Sequence, residues 1–514
     1  MSLPSASASA SELAAATAAA TAAETRAGRT AARPGAVLAV VCLGVVLATL
    51  DLFIVNLAFP ALGRSFGGAG LASLSWVLNA YAIVFAALLV PAGRLADLAG
   101  RKAGFLAGVA LFTVSSALCA LAGSVGQLVA ARVLQAAGAA LLTPASLGLL
   151  LAAFPPERRA GAVRIWGAMS GVAAALGPVV GGVLVNLDWR WIFLVNVPVG
   201  VVALVLGIRV LPAPPRVPER LPDLLGSLAL AVAVGALTLG LVRGADWGWS
   251  SARVLGCLVG SAVLLAAFVA RSARHPRPVL ELSLFRMPGF AAASGAMLLF
   301  NVGFAAMLLS TVTWMQAVWG WSALRAGLAF APGPLMVPPV AILAGRLARR
   351  VGPGVLTVVG SLAAAVGAVS WVVAVGIRPD YLTALLPGSL LVGIGVGLVM
   401  PTLTAAAATA LPPHRFATGS AVVTMARQVG STLGVAVLVV LLGSPRTTAQ
   451  TLAAYRRGWA LVAVASLAAA LAGLALVRRR SGGGPAVAVP APTGPTATTT
   501  PTEATATAAT GGSA

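Results

Sequence analysis

The segment PAGRLADLAGRK (residues 91–102) and its echo LAGRLARR (343–350) set the architecture of this chain. They share the pentapeptide AGRLA, at 92–96 and 344–348. Each copy closes a long apolar run and leads into a basic turn. Working outward from them, fourteen apolar runs are legible, near 36–58, 73–92, 103–122, 125–151, 163–186, 191–211, 223–243, 252–270, 290–316, 323–344, 352–375, 382–405, 418–442 and 457–477. The first copy ends the second run and the other ends the tenth, so the sequence repeats at an offset of eight runs. Two six-helix halves joined directly would give an offset of six. The spacing therefore predicts six plus six, with the seventh and eighth runs inserted between the halves.

These runs are helices that cross a bilayer. Of 514 residues, 59% are hydrophobic and 9% charged, against about 25% charged in a soluble domain. A spanning helix needs about 20 apolar residues, which the runs supply. The alternating ten-residue pattern of a membrane barrel is absent. The fold class is thus all-α integral membrane. The expected segments are an N-terminal bundle over 34–211, the inserted pair with its flanking loops over 212–288 and a C-terminal bundle over 289–480. Residues 1–33 are rich in Ala, Ser and Thr and lack the continuous apolar core of a signal peptide. They read as a disordered cytoplasmic tail, as do the Gly, Pro, Thr and Ala of 481–514.

The net charge of +22 does not describe a nucleic-acid surface, because the arginines lie between apolar runs and form no continuous basic face. Their positions follow the positive-inside rule. Arg26, Arg29 and Arg33, then Arg101 and Lys102, Arg158 and Arg159, Arg216 and Arg220, Arg271, Arg274 and Arg277, Arg346, Arg349 and Arg350, and Arg478 to Arg480 all fall on one side. That side is expected to be the cytoplasm, with both termini on it, as an even helix count requires. Cys42, Cys119 and Cys257 lie in separate apolar runs and suggest neither a disulfide framework nor a metal site. His275 and His414 sit in short polar loops and read as solvated. No phosphate-binding loop of the Gly-x-x-x-x-Gly-Lys type occurs, which argues against an ATP-driven motor within the chain. Nothing points to an enzyme, and nothing assigns an oligomeric state.

Several motifs, in order and in topological place, resemble the major facilitator superfamily in its fourteen-helix drug:proton antiporter branch. The resemblance covers roughly 36–477. GRLADLAGRK (93–102), between the second and third runs, is similar to the superfamily's loop signature. Gly93 and Gly100 permit a tight turn with close approach, Asp97 caps or pairs locally, and Arg101 and Lys102 hold the cytoplasmic side. The resemblance implies a latch that steadies one conformation; the residues alone also describe an ordinary charged turn. RVLQAAGAAL (132–141) resembles the fourth-helix Arg-x-x-Gln-Gly motif, with Ala136 where glycine is usual. GAMSGVAAALGPVVGG (167–182) resembles the fifth-helix antiporter signature, which accompanies export. Its Gly171, Gly177, Pro178, Gly181 and Gly182 suit close helix packing and a kink. WRWIFLVNVP (189–198) opens the sixth helix as in this branch, with Trp189 and Trp191 suited to an aromatic belt. TGSAVVTMARQVGSTLGVA (418–436) resembles the thirteenth helix, the counterpart of the fifth. LDLFIVNLAFP (50–60) resembles the first.

Within that last stretch Asp51 is the one acid deep inside a run. Glu12, Glu24 and Glu503 are in the tails, Asp97, Glu157, Asp188, Glu219, Asp246, Glu281 and Asp380 in loops, and Asp223 at the start of the seventh run. A charge at mid-membrane costs at least ~2.5–3.5 kcal/mol. At about 1.5 Å per residue, Asp51 lies roughly 22 Å up from one face and Arg132 roughly 10 Å down from the other. In a core about 30 Å thick they fall at one level. The fold implied by the resemblance brings the first and fourth helices together, so the two can pair. Burial favours a protonated acid and an adjacent guanidinium favours the carboxylate. A cycle that makes and breaks the pair would carry protons, whereas a static pair would only hold the bundle. The expected function is export of lipophilic small molecules, such as drugs, antibiotics or self-made metabolites, across the cytoplasmic membrane in exchange for protons. No cofactor is expected beyond the proton gradient. The alternative is a proton-coupled carrier of one metabolite. Asn56, Gln135, Phe300, Asn301 and Arg427 are candidates to line the substrate path. The methionines and aromatics of 297–319 suit either a broad apolar pocket or lipid contact.

Overall fold

The computed structural model describes residues 34–212, 223–276, 278–411 and 416–481. The tails read at 1–33 and beyond Ser481, together with Arg216, Arg220, Arg277 and His414, lie outside them. Among the described residues all regular structure is helical. Fourteen helices are long and apolar enough to span a membrane. They are α1 Pro34–Ser65, α2 Leu71–Ala99, α3 Arg101–Ala120, α4 Val125–Ala153, α5 Glu157–Leu187, α6 Trp191–Val210 and α7 Leu224–Trp247. Then follow α8 Ala252–Arg274, α9 Pro288–Ala317, α10 Ala323–Ala348, α11 Pro353–Ala374, α12 Tyr381–Ala408, α13 Gly419–Leu442 and α14 Thr448–Val477. Helices satisfy their own backbone groups, which hydrocarbon cannot do.

Several helices extend past the apolar-run reading, three of them as follows. α5 starts at Glu157 and not near 163, and α14 starts at Thr448 and not near 457. The helix of α10 runs on to Val351 rather than stopping near 344. In each case the extra turns carry arginines, such as Arg158 and Arg159, Arg456 and Arg457, or Arg346. Arginine is a good helix former and reaches headgroup or water from a helix end. Charge therefore ends an apolar run before it ends the helix.

The eight-helix repeat is visible in the packing. α1 packs on α4, α5 and α6, α3 on α4 and α6, and α2 on α4. Shifted by eight, α9 packs on α12, α13 and α14, α11 on α12 and α14, and α10 on α12. Each AGRLA copy ends its helix at a glycine of positive φ, Gly100 at +97° and Gly352 at +88°, which also begins the next helix. Close glycine contacts repeat too. A Cβ on Gly108 of α3 would lie 2.6 Å from the Leu142 nitrogen of α4. One on Gly360 of α11 would lie 2.7 Å from Leu398 Cβ of α12. Small residues let helices approach where no hydrophobic effect drives them together.

The halves meet along two seams that the repeat makes equivalent, α5 with α10 and α2 with α13. The inserted hairpin α7–α8 docks at the second seam. There Leu230, Val234 and Phe268 pack with Ile83, Ala86 and Val90 of α2 and Met425 of α13. Asp223 caps α7 and pairs with Arg271 of α8 at 2.8 Å. Trp189 is buried against Phe66 and Phe193, which corrects its assignment to an aromatic belt. Its neighbour Trp191 is 48% exposed, as a belt residue should be. Phe66 and Phe193 close over the Trp189 ring, and that packing outweighs its interfacial preference.

Candidate functional site

α1 carries Asp51 one turn before its geometry changes. The α-helix runs to Ile54, a 3₁₀ turn covers Val55–Ala58, and α-helix resumes at Phe59 with Pro60 in its first turn. Proline has no N–H to give a preceding carbonyl, which accounts for the break. α4 carries Arg132 and, one turn later on the same face, Gln135. α6 carries Asn196 in its second turn. These four side chains converge with no solvent exposure beyond 1%.

Arg132 Nη1 donates to Asp51 Oδ2. It also donates to Gln135 Oε1 at 2.6 Å, and Nε donates to the Val77 carbonyl at 3.1 Å. Gln135 Nε2 donates to Asp51 Oδ1 at 2.9 Å and to Ser116 Oγ at 2.8 Å. Asn196 Nδ2 donates to Asp51 Oδ1 at 3.0 Å. The Arg132 guanidinium lies over the Tyr81 ring at 4.2 Å, with Phe193 at 5.9 Å. Arg132 Nη2 and Asn196 Oδ1 have no partner among the described residues.

This is the one ion pair among the described residues with both side chains fully buried. Two buried charges are tolerated when geometry is good and remaining donors and acceptors are used. Helices α1, α2, α3, α4 and α6 all supply groups here, so any change in the pair's charge bears on the whole N-terminal half. Asn196, Ser116, Tyr81 and the Val77 carbonyl were not singled out as candidates from the sequence. The visible signal was an asparagine in the otherwise apolar WIFLVNVP (191–198), which a neutral side chain makes faint.

The remaining candidates are placed as follows. Gln135 belongs to the buried network and lines no open space. Asn56 is buried and donates to the Leu52 carbonyl at 3.1 Å. Phe300 and Asn301 are buried in α9, and Asn301 donates to the Met297 carbonyl at 2.8 Å. Arg427 in α13 is half-buried, its Nε without a partner, and no acid stands within ion-pair distance among the described residues. At the α2–α3 turn, Arg101 Nε donates to Asp97 Oδ1 at 2.6 Å and Nη1 to the Gly148 carbonyl of α4 at 3.2 Å. Lys102 Nζ donates to the Ile208 carbonyl of α6 at 2.8 Å. A Cβ on Gly93 would touch Pro144 of α4 at 3.3 Å. These described bonds tie the turn into its own half.

The α5 motif sits between the halves. A Cβ on Gly177 would lie 2.6 Å from Phe53 Cβ, and one on Gly181 3.2 Å from Ile54 Cα, both on α1 just past Asp51. One on Gly182 would lie 2.8 Å from the Ala323 carbonyl oxygen of α10, and one on Gly327 of α10 would lie closer still to the Pro178 carbonyl oxygen. Gly171 faces open space. Further contacts join α1 to α9, Gln316 Nε2 donating to the Leu57 carbonyl at 3.1 Å and Phe53 meeting Phe304 edge-on at 6.2 Å. All lie from mid-membrane to the end away from the basic turns. Toward the basic turns, Gly167 and Gly171 of α5 and Gly345 of α10 have no neighbour within 4 Å of a Cβ.

Two equivalent six-helix halves, sealed at one end and separated at the other along α5–α10, define a polytopic membrane transporter. The family model described as Major Facilitator Superfamily matches residues 41–435, and the chain belongs to that family. The chain is 35% identical over 420 residues to a tetracenomycin C resistance and export protein of Streptomyces glaucescens, covering 80% of this chain and 76% of that one. It is 36% identical over 444 residues to a cephamycin export protein of Amycolatopsis lactamdurans, covering 85% and 90%. A multidrug resistance protein of Mycobacterium tuberculosis is 36% identical over 398 residues, covering 77% and 73%. Among solved structures, an auto-inhibited peptide transporter of the POT family superposes with a TM-score of 0.64 at 17% identity, over 86% of this chain and 97% of that one. That likeness concerns the fold.

Proposed function

We propose that this protein exports lipophilic small molecules across the cytoplasmic membrane in exchange for protons, with both termini in the cytoplasm and Asp51 as the proton-carrying group. The observation that carries the reading is the buried Asp51–Arg132 pair, whose acid stands on α1 directly before the turn that touches α5 and α9. With Asp51 ionised, Arg132, Gln135 and Asn196 hold the carboxylate. A proton on Asp51 removes the negative charge and leaves a buried guanidinium uncompensated, which is costly. Relief requires α4 and α6 to move relative to α1. The 3₁₀ turn after Asp51 and the glycine face of α5 carry that displacement to α10 and α9, across the seam. Glycine contacts have no side chains to interlock, so the helices slide with little repacking.

On this reading the seal between α5 and α10 opens in the other half of the cycle, as alternating access requires. The basic α2–α3 turn, through Asp97, Arg101 and Lys102, steadies one of the two states. Phe300, Asn301, Asn56 and Arg427 line the path that opens between the halves, and Gln135 contributes through the pair. The driving force is the proton gradient, with no cofactor. The relatives' names, for a single antibiotic or for many drugs, support export as the direction. They also keep open a second reading, a carrier dedicated to one metabolite.

The test is growth of a pump-deficient bacterium expressing the protein across a panel of dyes, lipophilic cations and antibiotics. Resistance that a protonophore abolishes is the expected result. Resistance indifferent to the protonophore at full expression would refute proton coupling.

A further inference from the structure

A second polar constellation lies away from the Asp51 pair, in the C-terminal half at the end opposite the basic turns. There the start of α10 and the start of α12 border an open cleft of about 620 Å³. Its walls include Trp321, Arg325, Leu328, Asp380, Tyr381 and Leu382. Each charged wall residue is fixed by a helix cap. Ser322 Oγ accepts from the Arg325 nitrogen at 3.2 Å, which begins α10 and sets Arg325 on the wall. The Arg325 guanidinium then lies over the Trp321 ring at 4.1 Å. Opposite, Asp380 caps α12, accepting from Thr383 Oγ1 and from the Thr383 nitrogen at 3.2 Å. Those bonds hold its carboxyl below the usual carboxylate range, the hydroxyl contributing most. Tyr381 ties the walls together, its hydroxyl donating to the Ala329 carbonyl of α10 at 3.0 Å and its ring 6.1 Å from Trp321.

Arg325 and Asp380 face one cleft and form no ion pair with each other or with any other described residue. A fixed cation and a fixed anion held apart complement a molecule that carries both charges. Guanidinium groups bind phosphate oxygens through directed, charge-assisted hydrogen bonds. An ammonium suits a carboxylate flanked by aromatic faces. The rest of the rim is apolar, with Leu328 53% exposed and Leu382 70% exposed on the outer surface of the bundle. Tryptophan and tyrosine at a helix end mark the membrane–water boundary, where a headgroup and its acyl chains meet.

We propose that this cleft binds a zwitterionic phospholipid with a primary-amine headgroup, its phosphate on Arg325, its ammonium on Asp380 and its chains along Leu328 and Leu382. The opposite face of the same α10 turns, at Ala323 and Gly327, packs on α5. A bound lipid therefore braces the sealed end of the transporter. The assignment is independent of what the protein exports.

The test uses the purified full-length protein in detergent, titrated with phosphatidylethanolamine or phosphatidylglycerol. Bound lipid is counted by native mass spectrometry and the unfolding midpoint is followed in parallel. The wild type is expected to hold phosphatidylethanolamine in preference to phosphatidylglycerol and to unfold later with it. Arg325→Gln and Asp380→Asn are each expected to weaken that binding by about tenfold, the size of one charge-assisted contact. Asparagine caps helices as well as aspartate does, so Asp380→Asn keeps α12 intact, and Arg325→Lys, which keeps the charge but not the fork, should bind between the wild type and Arg325→Gln. Equal retention by the variants, or equal binding of phosphatidylglycerol, would overturn the proposal. Glycerophosphoethanolamine, the headgroup without chains, should compete only far above the lipid's concentration. Competition at equal concentration would overturn the lipid assignment and leave a soluble zwitterion as the ligand.

Discussion

Asp51 is tolerable in the middle of α1 because Arg132, Gln135 and Asn196 all turn to it. Removing one charge of a buried pair strands the other, at about 3–5 kcal/mol. Arg132→Leu should therefore lower the unfolding temperature in detergent markedly. The double variant Asp51→Asn/Arg132→Gln, which strands no charge, should be clearly more stable than Arg132→Leu. A double variant no better than the single one would show that packing, not charge, sets the cost. Asn196→Ala removes one hydrogen bond to a carboxylate, a loss of about 1.5–3 kcal/mol. The charged members of the network were legible in the sequence because a charge in an apolar run has few innocent explanations. Asn196 was not, since a neutral amide in a membrane helix is compatible with many roles. Trp189 misled for a related reason: a tryptophan near a helix end suits a belt and a core equally until its neighbours are known.

Among the elements, α5 separates two kinds of glycine that look alike in sequence. Gly177 and Gly181 touch α1, and Gly182 touches α10, whereas Gly171 faces open space. Gly177→Val should push α1 from α5 and reduce both stability and transport severalfold, while Gly171→Ala should leave folding unchanged. Unfolding and transport assays on the two variants check this, and equal effects would refute the assigned packing. At the α2–α3 turn, Gly100 at φ +97° holds a conformation that costs other residues about 1–3 kcal/mol. Gly100→Ala should destabilise by that order. Helix number and order were readable from hydropathy, because about 20 apolar residues in a row admit few other readings. Helix ends were not, since arginines end an apolar run without ending a helix, as at Arg158 in α5 and Arg456 in α14.

At the scale of the molecule, the AGRLA repeat at an offset of eight carried the two-half architecture. The packing repeats with the same offset, down to the glycine turns at Gly100 and Gly352. Where the inserted hairpin docks was not legible, because the face that α7 presents to α2 and α13 carries small and aliphatic residues like those facing lipid. The arrangement of the halves makes a separate prediction. In a variant lacking Cys42, Cys119 and Cys257, a cysteine at Gly167 or Gly345 should react with a membrane-impermeant thiol reagent applied from the side of the basic turns. One at Ala326, fully buried near the start of α10, should be shielded, and labelling of Ala326→Cys as fast as of Gly167→Cys would contradict the sealed end. The central claim is that one buried carboxylate couples protons to cargo. Its most direct test is export driven by an imposed proton gradient in membrane vesicles, comparing wild type with Asp51→Asn at matched protein levels. Asp51→Asn, although less stable because it strands Arg132, is expected to lose gradient-driven export at a protein level matched to the wild type. Driven export at the wild-type rate by Asp51→Asn would contradict the claim.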